Sequence, residues 1–327
     1  MSFVALITVL NSCSKPETEL ITTNSESTSH RQKVVPLTGV TATNGVLSFT
    51  KSSTFGGAVV SYQYKGTEFI DVLDAGRELQ VSAYGRSFAA FTENGFYFNP
   101  TFRSVINPTE CGDAQNGRTS LPSPVVAISG TSTQVGSVCN PREWFWYTPG
   151  GWNMDINGHV YNTCIIESYV TIIPGYNGCV SKYEVYFKPP TTASWNLEVP
   201  ALYVKSQFNR FYTLDAASGV RYGPYDNQTT EAKYMPASKI GGCIATTSTD
   251  GTSIGLYGAS QSVGGKLEEN NLFQFMKFSA CAKMRANSWK GTFGPESKTY
   301  YSVYIVAGAN PTEVKNQMVS MYNNGLR

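Results

Sequence analysis

The residues of this chain best suited to chemistry gather in a few short stretches, of which the densest is "NPTECGDAQNGR", Asn107 to Arg118. Asn107, Glu110, Asp113, Gln115 and Asn116 crowd a segment that no packing pattern requires. Loops carrying convergent polar groups on a rigid scaffold are where sites usually lie. Glu110 and Asp113 suit the roles of acid and base, or the oxygen ligation of a cation such as calcium. An Asx-turn loop capped by its own side chains is the competing explanation.

A second stretch, "NPREWFWYTPGGWNMDINGHVYN", holds Trp144, Trp146, Trp152 and His159. In an extended chain Trp144 and Trp146 share one face, with Phe145 and Tyr147 on the other. Flanked by Gly150 and Gly151, the rings suit a stacking platform for sugars, or a hydrophobic lid on a sheet edge. His159 is the only histidine beyond residue 30. It suits a proton-transfer role, although a lone histidine is more often structural.

Two further stretches contribute single groups. "NLEVPALYV" places Glu198 two residues before Pro200 and Tyr203 on the strand beyond. Proline donates no ladder hydrogen bond, so Glu198 is expected near a strand edge, as the second carboxylate of a pair or as the partner of an arginine. "DVLDAGRELQ", Asp71 to Gln80, concentrates charge in a chain that is only 15% charged. There Arg77 falls in phase with Leu79 and Val81, and Glu78 with Gln80. A guanidinium on the apolar side needs a carboxylate or a ligand, because unpaired burial of a charge costs several kcal/mol. Asp74, Glu110 and Glu198 are the candidate partners, and any donors of Arg77 left over would face a ligand. The alternative is a buried scaffold pair. Arg285, Trp289 and Lys290 in "KMRANSWKG" suit an acidic sugar, or an exposed turn with a snorkelling arginine.

The elements that must hold these groups read as strands. Segments such as "GAVVSYQYKGTEFIDVL", "YNTCIIESYVTII", "ALYVKSQFNRFYTL" and "KTYYSVYIVAG" are rich in β-branched and aromatic residues and end in Gly, Pro or Asn. Lys65-Gly66 and Asp250-Gly251 are hairpin signals, so pairing is expected to be antiparallel. One helix is expected, in "NPTEVKNQMVSMYNNGL", where Pro311 suits the first turn, Val314, Met318 and Met321 share a face, and Gly325 ends it. A sheet protein of this size should form two long twisted sheets packed face to face. No fixed-period repeat or linker divides the chain after Val34, so residues 34–327 are expected to be one domain.

The apolar run from Phe3 to Leu10 has the length of a signal core rather than of a membrane span. It ends at Leu10-Asn11-Ser12-Cys13, which resembles a bacterial lipobox. Residues 1–13 are therefore expected to be a lipoprotein-type signal, residues 14–33 a polar tether, and the protein exported, anchored through Cys13, periplasmic or secreted. Six further cysteines, Cys111, Cys139, Cys164, Cys179, Cys243 and Cys281, form no CxxC pair. In an exported chain disulfides are expected, at least two of them, with buried free thiols as the alternative.

A net charge of +2 and the absence of a dense basic cluster argue against nucleic acid. No GxSxG elbow, P-loop or GxGxxG is present, which removes support for hydrolase-fold esterases, nucleotide hydrolases and dinucleotide enzymes. No cofactor is implied beyond the calcium option.

The succession "YKGTEFIDVLDAGRELQ", "NPTECGDAQNG" with "SPV" following, "EVPALYV" and "GGCIATTSTDGTSIGLYGA" resembles secreted bacterial β-supersandwich proteins related to the galactose mutarotase-like fold. The resemblance implies an all-β, two-sheet antiparallel supersandwich with a concave face serving as a carbohydrate cleft. Fold alone does not imply catalysis. The expected function is that of a surface or periplasmic glycoside hydrolase or polysaccharide lyase, with a non-catalytic glycan-binding lipoprotein as the alternative. Hydrolysis would draw on Glu110, Asp113, Glu198 and Asp74, because glycosidases place two carboxylates about the bond. A lyase would use His159 or a tyrosine as base, with Arg77 neutralising a uronate.

Overall fold

A computed structural model describes residues 39–70, 78–101, 105–113, 121–144, 159–263, 266–269, 272–286 and 289–326. Among these, strands pair throughout in antiparallel fashion into a 13-stranded and a 10-stranded sheet, with two small two-stranded ribbons. The larger sheet follows the path Gly39–Thr43, Leu47–Ser52, Val59–Tyr64, Leu79–Arg86, Ala193–Lys205, Cys281–Ala286, Phe273–Lys277 and Ala232–Tyr234. The second runs Val125–Gly130, Gln134–Cys139, Ile165–Ile172, Val180–Lys188, Thr299–Gly308, Ser253–Val263, Gly241–Thr246, Arg210–Asp215 and Val220–Asp226. This is the two-sheet antiparallel sandwich expected. Its last strand in sequence, Thr299–Gly308, lies in the middle of the 10-stranded sheet, between Val180–Lys188 and Ser253–Val263.

The core follows from period-2 alternation. In Ile165–Ile172 every second residue is buried, and Ile166, Val170 and Ile172 join the core while Glu167, Tyr169 and Thr171 lie outward. The sheets meet through aromatic and sulfur contacts: Phe187 against Trp195 with ring centroids 5.2 Å apart, Phe211 stacked on Phe275 at 4.9 Å, and Cys243 Sγ 3.7 Å from Met284 Sδ. Lys65 and Gly66 both take positive φ, as a two-residue hairpin turn requires.

The helix forms at Pro311–Asn323, with Asn310 Oδ1 accepting from the Glu313 N–H at 2.9 Å and Glu313 Oε2 accepting from the Ala309 N–H at 2.7 Å. Its buried Val314 and Met318 seat on Gly242, Gly255 and Gly308 of the 10-stranded sheet. A Cβ at Gly255 would stand 2.4 Å from Met318 Cε, so glycine is what lets the helix approach. The helix thus covers the side of that sheet turned away from the sandwich core.

All six cysteines among the described residues are free and buried, which corrects the expectation of disulfides. Cys111 Sγ donates to Glu78 Oε2 at 3.1 Å, Cys179 Sγ donates to the Tyr176 carbonyl at 2.9 Å, and Cys243 faces Met284. Small apolar packing and local hydrogen bonding, rather than cross-linking, are what these residues supply.

Candidate functional site

The segment around Glu110 looked most like a site in sequence, and its fold requires a correction. Glu110 is not an exposed loop acid. It is wholly buried between the sheets, with Oε1 3.0 Å from the equally buried Lys51 Nζ. Lys51 also donates to the Gly57 carbonyl at 2.7 Å, Ser137 Oγ at 2.9 Å and Ser168 Oγ at 2.5 Å. Ser168 reaches the same carboxylate, while Tyr183 OH and the Val81 N–H donate to its other oxygen at 3.0 and 3.2 Å. Burial beside Glu110 drives the Tyr183 hydroxyl well above its usual pKa. Gly56 and Gly57, both at positive φ, let the backbone pass within reach: a Cβ at Gly56 would strike the Glu110 carbonyl, and one at Gly57 would strike Ser137. The network is a polar rivet between sheets.

Asn107 is likewise a strut. Its Oδ1 accepts from Ser82 Oγ at 3.0 Å, and its N–H meets both oxygens of the buried Glu143, which also accepts from Tyr161 OH at 2.6 Å. Trp144, half-buried, donates its N–H to the Asn107 carbonyl. His159 packs its ring among Phe96, Phe98 and Tyr161 at 5.0–5.6 Å, and its carbonyl accepts from the Glu143 N–H. Asp74, Arg77, Trp146 and Trp152 lie outside the described residues, as does the side chain of Asp113.

The structure does bring Gln80, Glu198 and Tyr203 together. Leu79, Val81 and Ala83 point into the core, so Gln80, Ser82 and Tyr84 point to the outer face of the 13-stranded sheet. Ala282, Met284 and Ala286 do the same for the next strand but one, leaving Lys283 and Arg285 outward. Phe273 and Phe275 leave Gln274 outward. Register then aligns the outward residues in rows across the strands. Ser82 stands opposite Glu198, and Gln80, Ala201, Arg285 and Gln274 form one row. Tyr203 stands opposite Lys283. Ala201 leaves the middle of its row low.

Glu198 is the hub of this face. Its side chain is 3% exposed; Lys283 Nζ lies 2.7 Å from Oε2, and Arg285 Nη1 pairs with Oε1. The other arm of the same guanidinium pairs with Glu231. Lys283 Nζ also sits 4.8 Å from the centre of the Tyr203 ring. The Glu198 strand carries a proline at mid-length, not at its edge as expected. The missing N–H falls at a register shift between Glu198 and Ala201, where one neighbour, Trp289–Phe293, gives way to another, Cys281–Ala286. The irregularity lets Glu198 reach cations of the following rows.

Two carboxylates therefore flank one arginine in different surroundings. Glu198 is clamped by two cations. Burial raises the carboxyl of Glu231 above its ordinary range, against the opposing pull of Lys233 and Lys283. Among the described residues, two buried carboxamide oxygens on this face, Gln274 Oε1 and Asn196 Oδ1, have no hydrogen-bond partner. Among the described residues no group of three His, Cys, Asp or Glu is placed to hold a metal ion.

Lys283, Glu231 and Gln274 escaped sequence reading. The signal for the first was present in "CAKMRA", where basic residues alternate with Ala and Met, as on a strand buried on one face only. Glu231 and Gln274 carry no such mark, because their role arises from strands adjacent only in space.

No family model matches the chain, and no curated protein matches it. Among solved structures, it is similar to a candidate aldose 1-epimerase from Escherichia coli K12, with a TM-score of 0.46 at 10% identity over 83% of this chain and 99% of that one. It is similar also to a galactose mutarotase-like protein from Clostridium acetobutylicum, with a TM-score of 0.40 at 9% identity over 81% and 92%. A third is the alpha-galactosidase of Lactobacillus brevis, with a TM-score of 0.47 at 8% identity over 86% of this chain and 41% of the enzyme. Each likeness is one of strand arrangement alone.

Proposed function

We propose that the outer face of the 13-stranded sheet binds a glycan and hydrolyses it, with Glu198 and Glu231 as the working carboxylates. The observation that carries this is the Glu198–Arg285–Glu231 bridge on a face that the fold itself does not need to charge. A sandwich is stabilised by its interior, and burying Glu198 and Lys283 on the outer side of a sheet carries a desolvation cost that a solvated face would avoid. Two carboxyl groups whose surroundings push them apart are what acid and base roles require. Glu231, holding its proton to higher pH, donates it to the leaving glycosidic oxygen as the bond to the anomeric carbon breaks. Glu198, kept ionised by Lys283 and Arg285, stabilises the positive charge at that carbon. Water completes the exchange: its hydroxyl joins the anomeric carbon and its proton restores Glu231.

The test is to incubate the protein with a panel of neutral and acidic polysaccharides, detecting both reducing ends and unsaturated products. New reducing ends without unsaturation support hydrolysis. Unsaturated ends would make the protein a lyase, for which the Lys283–Tyr203 contact supplies a base and its neighbour. Binding without products would make it a non-catalytic receptor. Export and a lipid on Cys13 belong to the same proposal, and mass spectrometry of the native N-terminus tests them.

A further inference from the structure

The two carboxamide oxygens without partners lie on the same face but at opposite ends of the charged bridge. Gln274 is 3% exposed, stands opposite Arg285 in register and points away from the core between Phe273 and Phe275. Asn196 stands opposite Tyr84 on the other side of Glu198. A buried carbonyl oxygen with no donor is an unmet demand, because desolvation has been incurred without a hydrogen bond in return. Here the demand is repeated, both groups are acceptors, and both belong to a face already holding carboxylates. Hydroxyl groups meet such a demand without adding charge beside the ion pairs of this face.

Register sets their separation. Tyr84 and Gln80, the partners of Asn196 and Ala201, are four residues apart on one strand, roughly 13 Å at the rise of an extended chain. Gln274 lies two strands beyond Ala193–Lys205, roughly 10 Å at ordinary strand spacing. The diagonal is about 16 Å. That is longer than a single pyranose ring.

We infer that Asn196 and Gln274 accept hydroxyl groups from two different rings of one oligosaccharide laid diagonally across Glu198 and Arg285, so that the site reads a chain rather than a monosaccharide. The inference rests on the carbohydrate reading and deepens it. Neither residue is a catalytic group; each fixes the position of the chain over the carboxylates.

Calorimetric titration tests this with neutral gluco-, manno- and xylo-oligosaccharides from monosaccharide to hexasaccharide, on the full chain. Affinity is expected to rise at least tenfold, about 1.4 kcal/mol, between monosaccharide and tetrasaccharide of the responding series. Gln274→Met and Asn196→Leu are expected each to remove most of that gain, and Asn196→Asp, which keeps an acceptor, to retain it. Equal affinity at all lengths would overturn the extended cleft and leave the carbohydrate site standing. A length dependence that both apolar variants preserve would overturn the roles of the two carboxamides. The absence of binding in every series would overturn the carbohydrate reading itself. The length series needs no variant, so a variant that fails to fold does not shelter the proposal.

Discussion

Lys51 Nζ and Glu110 Oε1 meet 3.0 Å apart with neither side chain exposed, one from the Leu47–Ser52 strand and the other from the turn after Pro108–Thr109. Their surrounding donors and acceptors come from both sheets. Removing one partner strands a buried charge. Glu110→Gln and Lys51→Met are each expected to destabilise by about 3–5 kcal/mol in denaturant titration. The double replacement Lys51→Met with Glu110→Gln is expected to cost less than the sum, because no charge is left uncompensated. Full additivity would remove the coupling described here.

The Glu231 carboxyl gives a pH signature. Burial raises its pKa, so the protonated form persists above the usual carboxylate range, and hydrolysis is expected to fall as pH rises through that raised value. Glu231→Gln is expected to lower turnover by about 10²–10⁴-fold and to remove the alkaline limb of the profile. Retention of the limb in that variant would assign the proton to another group.

Asp215 behaves oppositely. Burial pushes its carboxyl upward, but the N–H groups of Ser238 at 2.9 Å and Ser218 at 3.2 Å outweigh it and hold the pKa below the ordinary range. The sign follows: the stabilisation is full above the unfolded value and is lost as pH falls through the folded one. Asp215→Ala is expected to cost about 1–3 kcal/mol near neutrality, with wild type and variant converging in acid. A constant difference down to strongly acidic pH would contradict it.

Thiol chemistry supplies a direct check on the cysteines. Cys111, Cys139, Cys164, Cys179, Cys243 and Cys281 are expected to be inert to alkylation in the native state and fully labelled in denaturant without reductant. Burial drives the thiols of Cys139 and Cys164 well up and that of Cys179 to about 11, which suppresses the reactive thiolate. A melting temperature lowered by reductant would instead reveal a cross-link.

Much of the fold was legible because alternation, turn chemistry and capping are local. Lys65-Gly66 announced its hairpin, and Pro311 with the shared face of Val314, Met318 and Met321 announced the helix. Glu198 and Tyr203 were legible as site candidates through their strand, and Gln80 through its phase with Glu78. Glu110 misled, because an acid amid loop-forming residues looks the same whether it faces water or a lysine 59 positions earlier. The partners of Glu198 misled for a related reason: Lys283 and Arg285 arrive from a distant strand, Arg285 lying 87 residues further along the chain, paired through register that no local pattern specifies.

The central place of Thr299–Gly308 has a consequence for how the chain reaches its fold. Strands from the first half of the 10-stranded sheet end at Val180–Lys188, and those from the second begin at Ser253–Val263; the element that joins them is made last. During synthesis both halves expose open edges until Thr299–Gly308 emerges, and the glycine floor under the Pro311–Asn323 helix stays bare until that helix follows. Long-range pairing of this kind is slow and leaves unpaired edges exposed to other chains. Emergence of Thr299–Gly308 is therefore the step on which productive folding, as against aggregation, turns.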